Sequence, residues 1–171
     1  MKKKILVLLC LILFLWPALA QAKSIRVYFS PHGGCTNAIV RQINQAKREI
    51  LIQAYYFTSK PIARALLAAQ KRGVAITVIL DKSNWTEKYS AATFLYNAGI
   101  SVFIDDKHNI AHNKIMIIDN HVIITGSFNF TAVAENENAE NLLIIKDMPH
   151  LTHAYQANFD RHLRYSVPYA P

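Results

Sequence analysis

The chain has 171 residues, a formal net charge of +8 at pH 7 and only two cysteines, Cys10 and Cys35. This length is enough for one domain with a proper core. Because Cys10 lies in the leader described next, Cys35 would be alone, which excludes an internal disulfide. We expect Cys35 to be an inert small hydrophobe, with an intermolecular link as the alternative.

The first 22 residues have the layout of a secretory signal peptide. A basic start, MKKK, precedes an apolar run of twelve residues and Pro17, and small residues suit cleavage after Ala20 or Ala22. An uncleaved membrane anchor is the alternative, but a spanning helix needs about 20 apolar residues. We therefore predict an exported domain, periplasmic or secreted, over residues 23–171.

Without the three leader lysines, 149 residues carry a net charge of +5 (8 − 3). This excess suits a polyanionic partner such as nucleic acid or an anionic lipid surface. A soluble protein that is merely basic is the alternative reading of the charge.

Strands and helices alternate in the first half of the domain. The predicted strands are 25–30, 49–57, 74–80 and 100–104, and the predicted helices are 36–48, 61–73 and 89–99. This order indicates βαβ units and a parallel sheet. The continuous apolar strands agree, because a sheet covered on both faces shows no alternation of polar and apolar residues.

The second half changes pattern. Strands 111–118 and 122–127 are separated by so few residues that only an antiparallel hairpin fits. A strand over 141–145 and a helix over 149–163 follow. We therefore predict a single α/β domain with a mixed, mostly parallel sheet flanked by helices.

Four polar side chains converge at one end of this hairpin. A two-residue turn at 120–121 pairs positions whose numbers sum to 241. Lys114 then faces Ser127, and His112 faces Asn129, with all four side chains on one face. A cation, a hydroxyl and a carboxamide suit a phosphate, and the imidazole adds a nucleophile or a general acid and base.

The run HNKIMIID, which is H-x-K-x4-D from His112 to Asp119, and the GSFN that starts at Gly126 resemble the HKD signature of the phospholipase D superfamily. The segments YFSPHGG, AYYFTS, LLAAQKRGV, TGSFNFT and NAENLLII resemble its single-motif bacterial endonucleases, the EDTA-resistant kind. The resemblance covers nearly all of residues 23–171. It implies a phospholipase D-like phosphodiesterase domain that needs no cofactor.

The resemblance also implies roles for individual residues. His112 would attack phosphorus and form a phosphohistidine intermediate. Lys114, Ser127 and Asn129 would hold the phosphoryl oxygens and stabilise the charge that develops on them in the transition state.

The acidic positions of the motif differ in role. Glu140 aligns with the glutamate that orients the histidine in this family, with Glu135 and Glu137 as fallback candidates. Asp119 belongs to the signature, but the hairpin puts it beside the turn, far from His112. We therefore predict a structural role for Asp119, in which it binds turn amides.

A chain with one HKD motif lacks the second histidine that would act as general acid. A homodimer with the pocket on its two-fold axis would supply one His112 from each subunit, as nucleophile and as acid. The resemblance implies the same dimer.

A metal site is the competing interpretation of the segment around His112. Asp105, Asp106, His108 and His112 are potential ligands, but the segment reads as a loop and Lys114 would repel a cation. We therefore predict no metal. We expect the two aspartates to be solvated and His108 to line the mouth of the pocket.

Two substrates suit HKD chemistry: nucleic acid and phospholipid. The small size, the single motif, the net charge and the lack of an extra apolar loop favour an endonuclease on DNA, with RNA as a further candidate. A phospholipase D acting on lipid head groups is the alternative. An inactive binding module is disfavoured because every catalytic position of the motif is filled.

Overall fold

The computed structural model describes residues 23–87 and 90–171, which form an eight-stranded sheet with helices on both faces. The predicted signal peptide lies outside the described residues. Within these two segments, no helix combines the length and the apolar character needed to cross a bilayer.

The helices and strands mostly match the predicted ones. The strands are β1 (Ser24–Ser30), β2 (Glu49–Ala54), β3 (Ala75–Asp81), β4 (Ser101–Asp105), β5 (Lys114–Ile118), β6 (Val122–Gly126), β7 (Glu140–Lys146) and β8 (Val167–Pro168). The helices are α1 (Cys35–Gln45), α2 (Lys60–Lys71), α3 (Ala92–Asn97), α4 (Ala132–Asn136) and α5 (Pro149–Tyr165). The two-residue β8 and the single turn of α4 were not predicted, because elements so short carry no periodic pattern.

The sheet is mixed, as predicted, but the prediction that it is mostly parallel was wrong. Its order is β1-β7-β6-β5-β2-β3-β4-β8. Only the β2–β3 and β3–β4 pairs are parallel, and the other five pairs of neighbours are antiparallel. The order β1, α1, β2 along the chain predicted a βαβ unit with adjacent parallel strands, but β5, β6 and β7 lie between β1 and β2.

Two apolar clusters cover the two faces of the sheet. The larger one joins α1, α2 and α3 to the sheet and includes Cys35. Burial raises the pKa of the Cys35 thiol to about 11, which suits the predicted inert hydrophobe. The smaller cluster packs Phe159 of α5 against the opposite face over β2, β3 and β5.

The edge strand β1 keeps an apolar stripe in solvent. Ile25, Val27 and Phe29 alternate along the strand and are 58%, 50% and 62% exposed. The same face is buried further along the sheet, where α5 covers it. Three large apolar side chains in a row on an edge strand are typical of an interaction surface.

The hairpin has a three-residue turn, and the predicted register was wrong by one residue. Ile118 pairs with Val122, so paired positions sum to 240. Asp119 and Asn120 take left-handed conformations, with φ of 53° and 58°. Aspartate and asparagine tolerate this region better than most residues, which allows the turn to begin at Asp119.

Candidate active site

The candidate site lies where several strands end on one edge of the sheet. Strands β1, β2, β3, β4 and β6 run in one direction, whereas β5 and β7 run against them. Their carboxyl ends therefore meet the amino ends of β5 and β7. Lys114 begins β5, Gly126 ends β6 and Glu140 begins β7. This edge thus gathers the polar residues of the motif without the predicted hairpin pairing.

Tyr55 brings His112 and Lys114 together. Its ring centroid lies 4.5 Å from that of His112, and the Lys114 Nζ lies 5.1 Å above the Tyr55 ring. The backbone amide of Tyr55 donates to the carbonyl of Asn113 at 2.9 Å, which fixes the loop beside the end of β2. His112 itself is exposed and accessible to a substrate.

Lys114 is a buried cation without an ion-pair partner in the described segments. It is 7% exposed, and its Nζ donates to the His112 carbonyl at 2.9 Å. Burial lowers the pKa of Lys114, although the charge of Glu140 acts in the opposite direction. A phosphoryl anion would therefore supply the counter-charge that this ammonium lacks.

Gly126 and Ser127 form a bulge beside the start of β7. The amides of Ser127 and Phe128 both donate to the Asn141 carbonyl, at 3.1 and 3.3 Å. Gly126 has φ of 143°, and a Cβ there would collide with the same carbonyl oxygen. The Ser127 hydroxyl accepts a bond from the Asn141 amide at 3.0 Å and stays exposed.

Asn129 directly precedes Phe130, which pairs with the segment that follows β2. The Oδ1 of Asn129 is buried and has no hydrogen-bond partner among residues 23–87 and 90–171. The next residue, Phe130, bridges Phe57, and its carbonyl accepts from the amides of Thr58 and Ser59 at 3.0 and 2.9 Å. The Tyr55–Ser59 segment therefore contacts both halves of the motif, and a buried amide group without a partner is a candidate for substrate contact.

The two glutamates proposed to orient the histidine occupy different places. Glu140 is half-buried and accepts a hydrogen bond from the Asn138 side chain at 3.2 Å. Its charge acts against the lowering of the Lys114 pKa by burial. No hydrogen bond in the described part of the chain joins Glu140 to His112. Both oxygens of Glu135 accept backbone amides at the start of α1, from Gly34 at 2.9 Å and Thr36 at 2.6 Å. This gives Glu135 a capping role. Glu137, the other fallback residue, is exposed.

Asp119 lies at the opposite edge of the sheet, next to the start of β2. Its carboxylate accepts the amides of Lys47, Arg48 and Glu49 at 2.7 to 3.0 Å. Asp119 therefore ties the hairpin to the α1–β2 loop. Two of these amides belong to that loop and the third to Glu49, the first residue of β2. We had expected amides of the hairpin turn instead.

The four residues considered as metal ligands do not form one group in the structure. Asp105 and His108 are in contact, but their third neighbour is His162 of α5, not His112. The expectation that Asp105 is solvated was wrong, because it is the buried last residue of β4. Sequence reasoning missed His162, and it considered Tyr55 only as a ring that could stack on a base, not as a neighbour of His112 and Lys114. The aromatic run AYYF at a strand end could have indicated Tyr55, whereas nothing links His162 to Asp105 over 57 residues.

Comparisons with known proteins show the family of this chain. Residues 39–163 match the family described as "Cardiolipin synthase, PLD-like domain". The chain is 47% identical over 131 residues to a phospholipase D of Rickettsia conorii, which covers 77% of this chain and 65% of that protein. It is 35% identical over 120 residues to the mitochondrial cardiolipin hydrolase of Xenopus laevis, covering 70% and 57% of the two chains. The chain thus spans about two thirds of these relatives or less.

Solved structures share the whole fold. Nuc from Salmonella typhimurium, a phospholipase D family member, superposes with a TM-score of 0.83 at 35% identity, covering 88% of this chain and 100% of that one. NucT from Helicobacter pylori has a TM-score of 0.79 at 23% identity, covers 86% and 100% of the two chains, and supports the fold alone. This chain therefore belongs to the phospholipase D superfamily of phosphodiesterases, as its HKD motif predicted.

Proposed function

We propose that this protein is an exported, metal-independent phosphodiesterase that acts through a phosphohistidine intermediate on His112. Its proposed substrate is nucleic acid, with DNA preferred, cut without strong sequence preference. The main observation behind this chemistry is that an exposed imidazole and a buried lysine two residues later both contact Tyr55. Within the described residues, this lysine has no ion-pair partner. The imidazole can reach phosphorus while the ammonium stabilises the phosphoryl oxygens.

A basic groove beside the site supports a polyanionic substrate. It has a volume of about 310 Å³ and begins at Thr58, next to the backbone of Phe130. Lys60 and Arg64 line it from one side of α2 and Phe94 from α3. Two cations one helical turn apart and an exposed aromatic ring suit the phosphates and bases of a single strand.

The alternative substrate is a phospholipid. The names of the relatives favour it, because proteins up to 47% identical are named phospholipase D and one is named cardiolipin hydrolase. A glycerophosphodiester would use the same His112 and Lys114, so the two substrates share the proposed chemistry and differ in what lines the groove.

We also propose that the active unit is a homodimer. The apolar stripe of β1 ends beside the site, because Phe29 pairs with Asn141 and Ser30 with Glu140. A second copy packed on this stripe would bury Val27 and Phe29. It would also bring a second His112 toward the first, which provides the general acid that one motif lacks.

A comparison of two substrates in excess EDTA tests the proposed function. We expect purified protein to convert supercoiled plasmid to nicked and linear forms and to release little choline from phosphatidylcholine vesicles. Choline release without nicking would keep the phosphohistidine chemistry and replace the substrate. If EDTA abolishes both activities and Mg²⁺ restores either, the metal-independent mechanism is wrong.

The basic groove gives a second prediction. The double substitution Lys60→Ala and Arg64→Ala should weaken DNA binding and reduce the slope of log K against log salt by about 1 to 2, because up to two phosphate contacts are lost. Fluorescence anisotropy with a labelled single strand at several salt concentrations measures this slope.

The matched control for this double variant removes two exposed lysines near the opposite edge of the sheet, Lys47→Ala and Lys71→Ala. It changes the net charge by the same amount. If the two double variants give equal slopes of log K against log salt, Lys60 and Arg64 do not contact the phosphates of the bound single strand.

A further inference from the structure

Three potential metal ligands meet where α5 passes the end of β4. Asp105 ends β4, His108 lies in the loop that follows, and His162 lies in the last turns of α5. The Nδ1 of His162 is 2.7 Å from the Asp105 Oδ2, and the Nδ1 of His108 is 2.9 Å from both carboxylate oxygens. One ligand atom from each residue can be chosen so that all three lie within 4.8 Å of one another.

The arrangement around His108 fits a shared ion better than a directed hydrogen bond. A hydrogen bond is strongest when it is straight, but this nitrogen lies 2.9 Å from each of two oxygens, so a proton on it is shared between them. The rings of His108 and His162 are also stacked, with centroids 4.7 Å apart at 30°. Two imidazole Nδ1 atoms and one carboxylate thus converge on the same small region.

The burial and the hydrogen bonds of the Asp105 carboxylate suit a metal ligand. Asp105 is fully buried, and its Oδ1 also accepts the backbone amides of Lys107 and His108 at 3.2 and 3.3 Å. Backbone donors of this kind orient the carboxylates that bind metals.

We propose that Asp105, His108 and His162 bind one late first-row divalent cation, for which Zn²⁺ is the best match. Two nitrogens and one oxygen form a common three-residue zinc site, and water completes the tetrahedron. His108 is 47% exposed at its side chain, so it leaves room for that water. Nδ1–Oδ2 distances of 2.7 and 2.9 Å would need to open to about 3.3 Å, the edge of a zinc tetrahedron.

Binding requires only neutral imidazoles and the ionised carboxylate. Each neutral imidazole moves its proton from Nδ1 to Nε2, and the metal takes the Nδ1 lone pair. The ion would join α5 to the loop that leads to His112, four residues after His108. It would lie outside the proposed reaction, because neither His112 nor Lys114 is a ligand, and so its role is to hold this loop in place.

Direct metal binding tests this proposal. Protein stripped with EDTA and freed of the chelator is titrated with Co²⁺ and Zn²⁺. We expect one Co²⁺ per chain with the visible absorption of a tetrahedral ion, which Zn²⁺ then displaces. With Zn²⁺ at about 100 times its Kd, the thermal midpoint Tm should rise by roughly 5–10 °C.

Two variants and one control make the result specific. His108→Ala and His162→Ala should each lose the tetrahedral spectrum and the Zn²⁺-dependent rise in Tm, whereas His153→Ala, an exposed histidine on the same helix, should keep both. His108 is half-exposed, so its variant is expected to fold even if His162→Ala does not. Absence of a tetrahedral spectrum in the wild type, or its persistence in both variants, would overturn the site. Plasmid nicking by His112 is a separate readout, so the two proposals can fail independently.

Discussion

His112→Ala is expected to abolish phosphodiester cleavage in excess EDTA, with a fall in kcat of about 10⁴-fold or more. The exposed imidazole packs on the same Tyr55 ring that Lys114 contacts, and methyl replaces it without disturbing the β5 ladder, which begins at Lys114. Plasmid nicking or turnover of a bis-phosphodiester reporter measures the loss, while circular dichroism checks that the variant is folded.

The control for this variant is His150→Ala, which removes an exposed imidazole from α5. It should retain wild-type activity. Residual activity of His112→Ala within about tenfold of the wild type would mean that the imidazole is neither nucleophile nor acid. The phosphohistidine mechanism would then be abandoned for both proposed substrates.

The same variant tests the shared active site. If each site needs one His112 from each subunit, a dimer with one wild-type and one His112→Ala subunit is inactive. After subunits exchange in a 1:1 mixture, only about a quarter of the dimers keep both histidines. Activity should then fall to about half of what the wild-type subunits showed before exchange. Unchanged activity after proven exchange would mean that each subunit works alone.

The sequence predicted most of the buried framework because its signals are local. Apolar runs such as 74–80 and the glycine after α2 identify strands and helix ends without reference to the rest of the chain. The order of strands is not local. Nothing in the sequence of β1 indicates that the later hairpin and β7 separate it from β2, so the proportion of parallel pairs was predicted wrongly.

The motif was found, but the geometry that assembles it was not. A one-residue change in the turn at Asp119 shifts the register, and Gly126 with Ser127 forms a bulge that ends the simple alternation of side chains. The Tyr55–Ser59 segment, which follows β2 much earlier in the chain, contacts both halves of the motif. The cluster of Asp105 with His162 likewise depends on the packing of α5, which no local pattern encodes.

Asp119→Asn is expected to destabilise the fold by about 2–4 kcal/mol, because a buried carboxylate that accepts three backbone amides is replaced by a group that is half donor. Thermal unfolding should show a Tm lower by roughly 5–15 °C. Activity per folded molecule should stay within a fewfold of wild type, because Asp119 lies at the edge of the sheet opposite to His112. A large loss of kcat in fully folded Asp119→Asn would instead assign it to the chemistry.

The pH dependence of the destabilisation by Asp119→Asn identifies its cause. Burial would raise the pKa of Asp119, but the amides of Glu49, Arg48 and Lys47 and the nearby His121 outweigh it and hold the pKa below the ordinary 3.8. The stabilisation is therefore fully present above pH 3.8 and is lost as pH falls through the lowered folded-state value. The Tm difference between wild type and Asp119→Asn should be constant from pH 7 to about 5 and shrink in more acidic buffer. Asp160→Asn, an exposed carboxylate on α5, should show no such difference at any pH. If the Tm difference between wild type and Asp119→Asn does not shrink in acid, the ionised carboxylate is not what joins the hairpin to the α1–β2 loop. The packing of the side chain would then be the cause.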